Sequence, residues 1–424
     1  MRTYLVLVGA LVAGCAPKGP AKIELRYMAW GNPEQLALEQ RFCNEFNAQN
    51  PDLHVRFVMV PGSAYVNKAV VMFASRTAPD LVRIDHYNFP NFVRKHYFLD
   101  LSKLAAADPG FHAADFFPQA IEEATYKGGF YGLNQGFGAE VIYYNKTMVK
   151  GAGLEDPYAL YLRGEWTWDR YRQYAIAMTK RDESGRVTQF GCAVPQFPMN
   201  LPVIWAFGGD LLTPDQMHSR LAEPGTVRSY EFLHNLRWVD HCAPTPAQAA
   251  NSAYTFESGT LGMSLNWMGM APRYREAAHG FEWDICPMPK GPFGGASILK
   301  GNQLTINRET PHPEAAWRFE RFITSAEVET EFYAIRRRNF PTRIAVANSR
   351  EFLSTKLPPF NTRAYLQDVE TARPMPIGPR WAEWTRLATN AEEILYASPD
   401  PNVGKVLSAA AKKIDALLAE EEGF

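Results

Sequence analysis

The chain has 424 residues, too many for one ordinary domain and enough to bury a large core. Lys+Arg 44 against Asp+Glu 45 leaves no strong net field, and the basic stripe that nucleic-acid binding requires is not visible. Hydrophobic residues at 46% and charged residues at 21% are ordinary for a globular protein, whereas the aromatic share, 13% with Trp 10 and Tyr 19, is generous.

The first residues address the chain. Arg2 supplies a short positive region, and Tyr4 to Val12 form an apolar run well short of the ~20 residues that span a bilayer. The run ends in Val12-Ala13-Gly14-Cys15, small residues followed directly by cysteine. This resembles the bacterial lipobox, which implies that Cys15 is diacylated and becomes the new N-terminus. Residues 16–22, with Pro17, Gly19 and Pro20, read as a polar tether. No later segment is long and apolar enough to be transmembrane, so an anchored protein is expected rather than a spanning one. Cys43, Cys192, Cys242 and Cys286 show no CxxC and no dense framework. A disulfide is permitted outside the cytoplasm, but the spacing assigns no pairing.

In chain order, Ile23, Leu25 and Tyr27 alternate with Glu24 and Arg26, a strand ending near Trp30-Gly31. Asn32-Pro33-Glu34 looks like a helix start, Leu38, Phe42 and Phe46 repeat at helical spacing, and Asn50-Pro51 stops the run. A second strand is predicted over residues 54–60, a helix over 65–74 and a third strand over 81–84. Strands alternating with helices indicate an α/β domain with a largely parallel sheet, whose ligands bind beyond the carboxyl ends of the strands. Trp30 and Asp85-His86 fall at two such ends. Further strands are expected over residues 140–146, 264–267 and 282–287. Thr167 caps a long helix, 313–324 is helical, and 381–395 and 403–421 read as a pair of amphipathic helices.

Fragments of this pattern occur in a telling order. Phe46-Asn47-Ala48-Gln49-Asn50-Pro51 closes the first helix, then come Ala78-Pro79-Asp80-Leu81-Val82 and Phe98-Leu99-Asp100-Leu101. Gly129-Phe130-Tyr131-Gly132 leads into Ile142-Tyr143-Tyr144-Asn145-Lys146, and Trp166-Thr167-Trp168-Asp169 follows. Phe256-Glu257-Ser258-Gly259, Asn266-Trp267, Pro287-Met288-Pro289-Lys290-Gly291, Gly301-Asn302 and Pro313-Glu314-Ala315-Ala316-Trp317 complete the series. Together they resemble the bacterial extracellular solute-binding proteins of the sugar-binding type, relatives of maltose-binding protein, over nearly the whole mature chain. The resemblance implies an α/β, periplasmic-binding-protein-like fold: two lobes, a hinge of several crossovers, and a ligand cleft between the lobes. It divides the chain into a signal peptide (1–14), a tether (15–22), an N-terminal lobe (23–136 plus 286–340) and a C-terminal lobe (137–285 plus 341–424). It further implies a monomeric, non-enzymatic subunit of an ABC importer, extracytoplasmic and lipid-anchored, which passes a mono- or oligosaccharide to permease subunits without a cofactor.

Enzyme signatures are missing: no GxSxG, HExxH or GxxxxGK[ST] occurs, and His234, His241 and Cys242 are a poor metal cluster. A sugar presents apolar C–H faces and a rim of hydroxyls, so aromatic rings and Asp, Asn, Gln or Arg side chains are sought. The candidate ligand contacts are Trp30, Asp85, His86, Gln135, Trp205, Asn266, Trp267, Gly301, Asn302 and Trp381. The run Arg336-Arg337-Arg338 keeps an anionic ligand in view. A glycerol phosphodiester or a polyamine remains an alternative ligand, and an extracellular glycosidase or lectin a more distant reading.

Overall fold

The computed structural model describes residues 22–250, 253–336 and 339–420. Cys15 and the other signal and tether residues up to 21, together with Arg337 and Arg338, lie outside the described residues.

Strand β1 (Ile23–Ala29) leads into a helix, Pro33–Gln49, through a reciprocal cap. The Gln35 amide donates to the Asn32 side chain at 2.9 Å, and the Asn32 amide donates back to Gln35 Oε1 at 3.0 Å. Leu38, Phe42 and Phe46 on this helix are buried against the sheet. Strands β2 (Leu53–Met59) and β3 (Leu81–Asp85) both run parallel to β1. Up to this point the sheet is the parallel one that the alternating pattern predicts. It then becomes mixed, because β4 (Leu133–Gly138) carries the chain out to a second body and the later returning strand runs the opposite way.

The second body holds β5 (Glu140–Asn145), β6 (Val187–Cys192), β7 (Leu261–Trp267) and β8 (Trp283–Cys286). Its order is β8-β5-β7-β6 with the short strand Lys180–Arg181 at the edge, and only the β6–β7 pair is parallel. Strand β9 (Ile298–Ile306) then pairs antiparallel with both β3 and β4, and the short strand Arg373–Pro374 adds parallel to its start. Cys286, Met288, Ala296 and Ile298 pack in the core of the second body, and the first pair between β9 and β4 is Lys300 with Gly138. The helices Trp381–Ala397 and Val403–Ala419 lie side by side on the second body, burying Leu395, Leu407 and Leu418 in its core. The molecule is thus two α/β lobes, each with core residues on both faces of its sheet.

Among the described residues three crossovers join the lobes: Ala139 between β4 and β5, the segment from β8 to β9, and the stretch around Phe340. The first and third are hydrogen-bonded to each other. Phe137 N donates to Phe340 O at 3.1 Å and Phe340 N donates to Phe137 O at 2.8 Å. Gly136 beside them has φ +73, and a Cβ there would stand 2.7 Å from the Tyr333 ring, so only glycine suits the position. Glu329, buried below, accepts from the Thr342 hydroxyl and from Arg343 N at 2.9 Å. Among the described residues no helix is long and apolar enough to cross a membrane.

Candidate functional site

The carboxyl ends of β3 and β7 and the first residues of β9 meet where the lobes face each other. Strand β7 delivers Trp267 opposite Glu140 of β5, and β9 delivers Lys300 opposite Gly138 of β4. The Lys300 ammonium lies 4.3 Å from the centre of the Trp267 ring and 5.3 Å from that of Tyr87. Tyr87, just past β3, stacks on Trp381 with centroids 5.4 Å apart and 25° between planes. Trp381 comes from the far end of the sequence and is itself packed edge-on against Trp384 at 4.8 Å. First-lobe and second-lobe rings therefore share one cluster, with Trp267 and Trp381 both half-buried.

Polar groups converge on the same place. Both Glu140 carboxyl oxygens are buried and lack a hydrogen bond, and the buried His86 ring faces the Gly301 backbone. Among the described residues no hydrogen bond or ion pair engages the Lys300 ammonium. Burial pushes the Glu140 carboxyl well above the usual carboxylate range, with Lys300 opposing. Burial likewise lowers Lys300, against the pull of Glu140, Asp85 and Glu123. It also holds His86 well below an ordinary imidazole, helped by the Lys300 charge. Glu123 rises to about 8 through burial, while Asn134 and the Gly301 amide donate to it. A cavity of about 230 Å³ opens beside this group, lined by His86, Phe89, Glu123, Tyr126, Met375 and Ile377. Larger grooves, of about 750 and 700 Å³, lie away from the aromatic cluster, around Arg350–Leu357 and around Lys95–Tyr97.

Of the residues singled out from sequence, His86, Trp267, Gly301 and Trp381 are gathered here. Gly301 is obligatory: its amide donates to Glu123 at 3.1 Å, and a Cβ would stand 2.4 Å from the other Glu123 oxygen. Asp85 closes β3, accepts from Asn88 N at 3.1 Å, and pairs in register with Asn302 of β9. Asn266 is turned to its own neighbours, accepting from Trp267 N at 2.9 Å and donating to Tyr274 Oη at 3.2 Å. Trp30 stands at the end of β1 between Tyr65, 4.5 Å between centroids, and the Arg83 guanidinium, 4.8 Å from the ring.

Two of the candidates are tied into the interior. Gln135 accepts from the buried Tyr27 hydroxyl at 3.0 Å, in a network that continues through Glu39 to Arg83. Trp205 is buried in the second-lobe core, its indole donating to Asp210 at 3.1 Å. Tyr87, Glu140 and Lys300 were not singled out from the sequence. Each sits one residue away from a marked position or at a strand start; for Glu140 and Lys300 the signal that would have found them is a charged residue in an otherwise apolar strand, and for Tyr87 it is an aromatic ring directly after a strand end. The described residues hold no group of three His, Cys, Asp or Glu side chains suited to a metal.

Comparison with known proteins agrees with this architecture. The sequence profile described as "Bacterial extracellular solute-binding protein" matches residues 30–330. The chain is similar to a maltotriose-binding protein from Pyrococcus abyssi, 23% identical over 92% of this chain and 82% of that one. It is also similar to an uncharacterized lipoprotein of Streptomyces antibioticus, 25% identical over 76% and 73% of the two chains. Among solved structures, a Listeria monocytogenes ABC substrate-binding protein in complex with cycloalternan superposes with a TM-score of 0.79. It is 21% identical and covers 94% of this chain and 100% of that one. With the profile matching well over half its length and the two-lobed fold in place, the chain belongs to the bacterial extracellular solute-binding proteins.

Proposed function

We propose that this protein captures a neutral saccharide in the interlobe cleft and delivers it to the permease of an ABC importer without chemical turnover. The observation that carries this reading is the buried, unpartnered Glu140 carboxyl and the half-buried Lys300 ammonium, set among the rings of Trp267, Tyr87 and Trp381. The rings offer flat apolar faces to C–H surfaces, and the polar groups need both donors and acceptors. Lys300 offers donors, and Glu140 offers acceptor oxygens together with a donor when it carries its proton. Hydroxyl groups answer both. A phosphodiester brings a fixed negative charge toward the buried Glu140 carboxyl, and a polyamine supplies donors alone and leaves Lys300 unmatched. Arg336 does not revive the anionic reading, because it is paired with Glu34 at 2.7 Å on the surface. Relatives named for maltotriose, multiple sugars and arabinooligosaccharides support the same ligand class.

The test is a calorimetric panel at pH 7 with neutral oligosaccharides, glycerol phosphodiesters and polyamines. Saccharide binding with no product after prolonged incubation supports the proposal. Binding of a phosphodiester or polyamine alone, or hydrolysis of the sugar, refutes it.

We also infer that the mature chain begins at a diacylated Cys15, works as a monomer, and is held at the outer face of a membrane by that lipid. The Val12-Ala13-Gly14-Cys15 order supports this. Cys15→Ala should move the protein from the membrane fraction to the soluble one or leave it uncleaved, and unchanged membrane retention with normal cleavage would refute the assignment.

A further inference from the structure

Four cysteines fall within the described residues, all buried as free thiols, and two of them are neighbours. Cys192 ends β6. Cys242 follows the helix Pro224–Trp238, where His241, with φ +51, turns the chain back into the second-lobe core. Gly191 N and Cys192 N both donate to the Cys242 carbonyl, each at 3.1 Å, so the two backbones are in direct contact. Cys192 Sγ lies 3.8 Å from that same carbonyl oxygen. Burial and contact with the Cys242 thiol push the Cys192 thiol well above its ordinary value. Cys43 and Cys286 are elsewhere, on the buried face of the first helix and at the end of β8.

We propose that Cys192 and Cys242 are joined by a disulfide in the exported protein. The family works outside the cytoplasm, where such bonds form and persist. The bond forms by exchange with the disulfide form of an extracytoplasmic thiol–disulfide oxidoreductase. The thiolate of one cysteine attacks the enzyme disulfide to give a mixed disulfide, and the second thiolate then displaces the enzyme sulfur. The two cysteine thiols lose two electrons and two protons, and the oxidoreductase leaves as a dithiol. Because the thiolate is the attacking form and the folded core suppresses it, the exchange belongs to the chain before this core closes. Once formed, the bond fastens the end of β6 to the segment after the Pro224–Trp238 helix. Strand β6 pairs with β7, so the fastening supports the strand that carries Trp267.

The experiment uses the full chain exported by its own signal. The protein is unfolded in guanidinium, quenched in acid, alkylated with a maleimide and mapped by mass spectrometry, with and without prior reduction. The expected result is two alkylated thiols, Cys43 and Cys286, before reduction, and all four after it. Cys192→Ala should then show three alkylated thiols before reduction, a readout that does not depend on the variant folding. Wild-type protein reduced in denaturant and refolded should melt ~5 °C or more below untreated protein, because the bond closes a loop of about fifty residues. Four free thiols in the untreated wild type, or a bond that includes Cys43 or Cys286, overturns the proposal.

Discussion

Lys300→Met is the most informative single change in the cleft. The half-buried ammonium lies over two ring faces, at 4.3 Å from Trp267 and 5.3 Å from Tyr87. Cation–π attraction at a desolvated site contributes up to ~2 kcal/mol. The cost of burying the charge opposes it and is visible in the lowered Lys300 pKa. Methionine keeps the unbranched stem and a soft contact with both rings, so the ligand-free fold should melt within a few degrees of the wild type. Ligand binding should respond very differently. A hydrogen bond from a charged donor contributes ~1.5–3 kcal/mol, which converts to a ~10–150-fold loss of affinity for the saccharide. Calorimetry on wild type, Lys300→Met, Glu140→Gln and the double variant completes a cycle. Because the ligand hydroxyls engage both groups, the two single losses should not add. An affinity within threefold of wild type in Lys300→Met, with an intact ligand-free melt, would refute the role given to Lys300.

Trp267→Ala should cost ~2 kcal/mol of binding, a ~30-fold loss, since a stacked sugar face hides apolar surface at ~25 cal/mol per Å². Its half-buried position means that the ligand-free melt stays near wild type, and a collapsed melt would instead mark the ring as core. Glu320 accepts from Leu133 N at 2.8 Å, and burial raises its carboxyl well above the usual range. A raised folded-state pKa gives stability that is fully present below the unfolded value of ~4.3 and is lost as pH rises toward the folded value. Glu320→Gln, neutral throughout, should differ from the wild-type melting temperature by a constant amount below about pH 4 and gain on it increasingly toward pH 8; parallel melting profiles for the two proteins across that range would contradict this.

The sequence made the frame legible because its signals are local. Asn32 with Gln35, Thr167 with the Arg170 amide, and the alternation in Ile23–Ala29 each act within a few residues and produced the expected helices and strands. The direction of β9 was not legible, since it follows from the route the chain takes through the second lobe. The cleft was half legible for the same reason. Trp267, His86 and Gly301 stand at strand ends that periodicity can place. Glu140 and Lys300 acquire meaning only when β5 and β9 are brought together, and Trp381 reaches Tyr87 across some three hundred residues of chain. Gln135 and Trp205 show the converse. Both types suit a ligand, but nothing local reveals that Tyr27 and Asp210 wait for them inside.

The bonded pair of Phe137 and Phe340 has a mechanical consequence. Two segments that exchange both backbone hydrogen bonds cannot slide past one another without breaking them, but they can twist. Such a pair resists sliding of one crossover past the other and leaves the twist angle between the halves as the easier relative motion. A membrane partner that sensed this angle would receive a single number reporting how far the halves had swung together. Cargo that stops the swing short, or lets it overrun, alters that number. The identity of the cargo is then conveyed by shape, with no direct contact between cargo and receiver.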